Sequence, residues 1–84
     1  MKIFVVTYAN TNDSLYAASC VHTSRTEAEN NIRGCACSII ADEYLDTTAE
    51  DFMKEHSTEL SDGSVELTYC GEYEYYAKLM VTEI

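Results

Sequence analysis

The sequence predicts a single α+β domain of order ββααββ: a four-stranded antiparallel sheet with two helices packed on one face. Three observations predict it. Runs of β-branched and aromatic residues lie at both ends of the chain, at 2–9 and 65–82. Two Ser/Thr-initiated segments with helical spacing lie between them. The chain has 84 residues, which leaves room for one core.

Lys2–Ala9 reads as an interior strand, apolar on both faces. Asn10-Thr11-Asn12-Asp13-Ser14 is turn chemistry, and residues 15–22 (LYAASCVH) form the return strand of a hairpin. Ser24-Arg25-Thr26-Glu27 fits a capping box. Ala28, Ile32, Cys35, Ile39 and Tyr44 follow at helical spacing, so the first helix spans about 25–44. Gly34 inside it is expected to serve close packing against the sheet, or a kink, because glycine costs a helix roughly 1 kcal/mol relative to alanine.

Thr47-Thr48-Ala49-Glu50-Asp51 opens a second helix with a narrow stripe of Ala49, Phe52, Met53 and Leu60, stopped by Ser61-Asp62-Gly63. Val65, Leu67 and Tyr69 share one strand face, as do Tyr73, Tyr75, Ala77, Leu79 and Val81. A two-residue turn would put these two sets on opposite sides of the sheet. The predicted connection is therefore a three-residue loop, Cys70-Gly71-Glu72, pairing Tyr69 with Tyr73 and Leu67 with Tyr75. Strand order is left open.

The net charge of −10 sits in the second half. Lys2, Arg25 and Arg33 balance Asp13, Glu27 and Glu29 in residues 1–41, whereas twelve carboxylates face only Lys54 and Lys78 in residues 42–84. A hydrophobic fraction of 46% places the chain among folded proteins rather than disordered acidic tails. A single-sign field destabilises a small domain, so the charge suggests a basic partner surface. It argues against nucleic acid or an anionic membrane as direct ligand. A solvated face serving solubility alone is the plainer reading of the same charge.

On the second helix Asp51, Glu55 and Glu59 would form one stripe, about 6 Å per step, with Asp46 and Glu50 as a parallel pair near its start. On the last hairpin Glu66 and Glu74 would approach one another, with Glu72 at the tip and Tyr76 on the Glu74 side. Tyrosine is enriched at binding hot spots, but most of the seven here suit a core that lacks tryptophan.

Cys20, His22, Cys35 and Cys37 are possible zinc ligands, but Cys35 and Cys37 diverge by about 200° on a helix, and no C-x-x-C pair occurs. Metal and other cofactors are therefore not expected. No spacing pairs a cysteine with His22 or His56 as nucleophile and base, and no phosphate-binding loop is present, so the chain reads as a non-enzyme. The N-terminal segment reads as a strand rather than a signal peptide, which implies cytoplasmic, reduced thiols.

The opening KIFVVTYAN, the turn and then HTSRTEAENNI resemble the strand–turn–strand–capped-helix start of small proteins from bacteriophages and mobile elements. Residues 42–74 are similar in composition to the anti-CRISPR and anti-restriction proteins that imitate DNA. The similarity is one of layout and composition rather than of a motif. It implies an inhibitor acting in the bacterial cytoplasm. Asp46, Glu50, Asp51, Glu55, Glu59, Glu66, Glu72 and Glu74 would replace phosphates in the basic channel of a CRISPR effector or other defence nuclease. The alternative is a small adaptor that binds a host protein through Tyr16, Tyr76 and apolar hairpin surfaces. A homodimer through an exposed strand edge fits that class.

Overall fold

The fold is described from a computed structural model over residues 1–12 and 16–84, with Tyr16 and Ala17 followed through the backbone only. Asp13 and Ser14 of the expected turn, and Leu15 of the expected second strand, lie outside the described residues, as does the Tyr16 side chain. The elements are β1 (Lys2–Asn10), β2 (Tyr16–His22), α1 (Arg25–Asp42), α2 (Ala49–His56), β3 (Ser57–Glu59), β4 (Val65–Cys70) and β5 (Glu74–Glu83). They build one antiparallel sheet in the order β2-β1-β5-β4-β3. The first and last long strands thus pair at its centre.

The sheet has five strands where four were expected. The extra one is β3, because α2 stops at His56. Ser57 adopts extended backbone, its hydroxyl donates to the Met53 carbonyl, and Ser57, Thr58 and Glu59 pair with Leu67, Glu66 and Val65. Serine and threonine are weak helix formers, and a helix running on to Leu60 would leave the outer edge of β4 unpaired. Leu60, expected in the apolar stripe, is instead exposed.

Alternation assigns the faces. Phe4 and Val6 of β1, Tyr75, Ala77 and Leu79 of β5, and Leu67 of β4 are buried under the helices. Ala28, Ile32, Cys35, Ala36 and Ile39 of α1, with Phe52 of α2, complete the core. Among the described residues no helix covers the opposite face of the sheet.

α1 begins at the expected cap, Ser24, and α2 begins within the expected segment 47–51, with Thr48 as its cap. Ser24 accepts the Glu27 amide at 3.4 Å and Thr48 the Asp51 amide at 3.2 Å. The Glu27 carboxylate lies 4.0 Å from His22 Nδ1. α1 ends at Asp42, two residues earlier than expected. Tyr44 has φ of 54° and is 93% exposed, so it is not part of the apolar stripe. The Leu45 amide donates to Ile40 O (3.0 Å) and the Tyr44 amide to Ala41 O (3.4 Å), which is a Schellman stop with tyrosine where glycine is usual.

Gly34 does not pack against the sheet. It lies on the solvent side of α1, and a Cβ there would meet nothing within 4 Å. Its cost to the helix has no packing return. Gly34→Ala is therefore expected to raise unfolding stability by about 1 kcal/mol in urea titration; a destabilised variant would contradict the open surroundings of this position.

Candidate interaction surface

The surface centres on the end of α1. Asp42 and Glu43 are acidic at a helix C-terminus, where the dipole favours cations, and the last turn has no basic residue. Glu43 has a separate role. Its Oε1 accepts the Glu72 amide (2.8 Å), and its Oε2 accepts the Tyr73 amide (3.3 Å) and the Tyr75 hydroxyl (3.0 Å). One carboxylate thus holds the tip of the β4–β5 hairpin against the helix layer. The Glu72 amide, with the Tyr75 hydroxyl and Tyr73 amide, keeps the Glu43 carboxyl below its usual range. Tyr75 is displaced the other way: burial and then the hydrogen bond to Glu43 push its hydroxyl well up, so it remains a proton donor.

Gly71 makes room for this clamp. A Cβ at that position would collide with Glu43 Oε1 and lie 2.7 Å from Tyr69 Cε2. The connecting loop is three residues long, as expected, but it is Gly71-Glu72-Tyr73, one residue further on. The pairs are Cys70 with Glu74, Tyr69 with Tyr75, and Leu67 with Ala77. Parity is preserved, so the apolar sets coincide, but the register differs by two residues. Glu66 consequently faces Lys78 (3.9 Å) rather than approaching Glu74.

The expected acidic residues fall into separate groups. Glu59 has left α2 for β3 and lies 3.7 Å from Arg25, so the Asp51–Glu55–Glu59 helical stripe does not exist. Asp51 and Glu55 remain one turn apart on α2, and Glu55 is 3.9 Å from His56 Nε2. Glu50 shares the rim of a groove of ≈ 390 Å³ between the helices with Arg33 and Lys54. Asp46 is exposed in the connection between them. Glu72 occupies the hairpin tip, and Glu74 and Tyr76 lie on the helix-free face.

The hairpin end gathers more acid than the sequence indicated. Asp42 accepts from Asn12 Nδ2 at 3.4 Å, next to Thr11, which exchanges two hydrogen bonds with Glu74. Asp42, Glu72 and Glu74 therefore surround one corner, with Glu43 inside it. The signal for Asp42 and Glu43 was their unfavourable place at a helix C-terminus.

Elsewhere, Arg25 ties the start of α1 to the β3–β4 turn through the Gly63 carbonyl (2.8 Å), and it also pairs with Glu29 one turn along the same helix (3.2 Å). Cys35 is buried, and burial, followed by the nearby Cys20, pushes its thiol up to about 11. Cys37 is exposed on the same helix. Among the described residues no group of three histidine, cysteine or acidic side chains is placed to hold a metal ion. No helix among them is long and apolar enough to cross a membrane.

Compared with known proteins, the chain matches no family model, no curated protein and no solved structure.

A carboxylate with a depressed folded value stabilises above its unfolded value, and that share is lost as pH falls through the folded one. Glu43→Gln is thus expected to lower the melting temperature at neutral pH. The gap to wild type should close as pH falls below about 4. A gap that persists unchanged in acid would show that the charge of Glu43 is immaterial.

Proposed function

We propose that this protein is a non-enzymatic inhibitor of the anti-CRISPR kind. It would present carboxylates to the basic DNA-binding surface of a host defence complex and exclude DNA by competition. The observation that carries the reading is the confinement of the net charge to residues 42–84, with Asp42, Glu72 and Glu74 gathered at one corner. Asp51 and Glu55 add charge on the outer side of α2. Glu59 and Glu66 contribute less, because each faces a cation within the fold.

Such a surface acts at a distance of about 10 Å in 0.1 M salt, so it accelerates docking and makes it salt-sensitive. A nucleoprotein partner is favoured over free nucleic acid or an anionic membrane, both of which this field repels. The site of action is the cytoplasm of a bacterial host.

The second reading, an adaptor that docks through tyrosines, draws support from Tyr44, held out into solvent at the acidic corner, and from Tyr76 on the helix-free face. Salt separates the two readings. Tagged protein is used to capture partners from bacterial lysate at low and high salt, beside a variant carrying Asp51→Lys, Glu55→Lys, Glu72→Lys and Glu74→Lys. Mimicry predicts a DNA-binding complex at low salt, lost in high salt, displaced by added DNA and not captured by the folded variant. Salt-resistant capture of the same partner by wild type and variant alike would overturn mimicry in favour of the adaptor.

A further inference from the structure

The helix-free face of the sheet is not uniform. At its hairpin end a depression of ≈ 580 Å³ is bounded by Ala9, Thr11, Thr68, Cys70, Glu74 and Tyr76, with His56 reaching it from the end of α2. The register explains the hollow. Tyr76 pairs with Ala9 on one side and Thr68 on the other, so a large ring stands between two small side chains. Tyr76 is 38% exposed, which leaves its ring open to a partner.

Glu74 stands two residues along the same strand face, about 7 Å away. Its backbone is fixed by Thr11, whose hydroxyl accepts the Glu74 amide (3.0 Å) and whose amide donates to the Glu74 carbonyl (3.1 Å). Among the described residues no lysine or arginine lines the depression and the Glu74 carboxylate has no ion-pair partner. The hollow therefore combines one uncompensated carboxylate, one open aromatic face and small flanking residues.

We propose that this depression seats an arginine side chain of the basic partner protein, with the guanidinium paired to Glu74 and stacked on the Tyr76 ring. The inference rests on the acidic-surface reading above and adds to it an anchor point and a residue type. Guanidinium is the cation that fits. Its planar fork matches a carboxylate, and its apolar faces lie well on an aromatic ring. Lysine can pair with Glu74 but brings no planar face to Tyr76. The volume lies within the range of formed ligand clefts. The missing positive charge in the lining is what the partner supplies.

Hexa-arginine and hexa-lysine peptides, equal in charge, serve as probes at low salt with the full chain. Arginine is expected to bind several-fold tighter than lysine. Glu74→Gln and Tyr76→Ala should each remove that preference, and Tyr76→Phe should keep it. The pair Asp51→Asn with Glu55→Gln should weaken both peptides equally and leave their ratio intact. Hexa-arginine should also slow alkylation of Cys70, which lines the depression, while leaving that of Cys37 on α1 unchanged. Circular dichroism confirms that each variant is folded. Equal binding of the two peptides, indifferent to Glu74 and Tyr76, would overturn the arginine seat and leave the acidic-surface reading standing. Absence of binding by both peptides would overturn the arginine seat and the acidic-surface reading together.

Discussion

The carboxylate of Glu43 is the constraint on which the acidic corner depends. It sits where a helix dipole repels it, so the cap alone cannot explain it. Two backbone amides and a buried tyrosine hydroxyl do. The helix must stop at once for Glu43 to reach the hairpin, and Tyr44 takes left-handed backbone to permit it. Gly71 must lack a side chain. The loop is then fixed as residues 71–73. That placement decides which carboxylates face which way: Glu66 opposite Lys78, Glu74 beside Thr11, and Tyr76 between Ala9 and Thr68.

Those consequences join fold to function. Electrostatic recognition depends on where charges are held as much as on their number. Arg25 and Lys78 stand beside Glu59 and Glu66, and Arg33 and Lys54 share a rim with Glu50. The scarce cations of the chain thus temper the acid around the helix layer and the middle of the sheet. Among the described residues no cation pairs with Asp42, Glu72 or Glu74 at the hairpin corner, and these carboxylates stand around a braced turn rather than a loose one.

Much of this was legible in the residues because it follows from local periodicity. Alternation in 65–70 and 73–82 assigned the buried face, and a conflict between faces required an odd-numbered loop. Ser24 and the Thr47-Thr48 pair marked the two helix starts. What escaped notice is non-local. β3 is three residues long and exists because β4 has an edge to cover. The two-residue difference in register comes from a carboxylate about thirty residues away in sequence, and parity cannot detect an even shift. Gly34 looked like a packing device because glycine in a helix usually has a reason, yet here its surroundings are open. The acidic stripe failed with the last turn of the helix that was to carry it.

The most direct measurement is amide hydrogen exchange at Glu72 and Tyr73, followed by NMR from about pH 7 down to about pH 3. If Glu43 braces the hairpin, both amides are protected at neutral pH. They should lose that protection together as Glu43 takes up its proton, while the central β1–β5 amides remain protected, and Glu43→Ala should expose them at every pH. Exchange at the rate of an open turn in the wild-type protein at neutral pH, or protection unchanged in Glu43→Ala, would contradict the clamp.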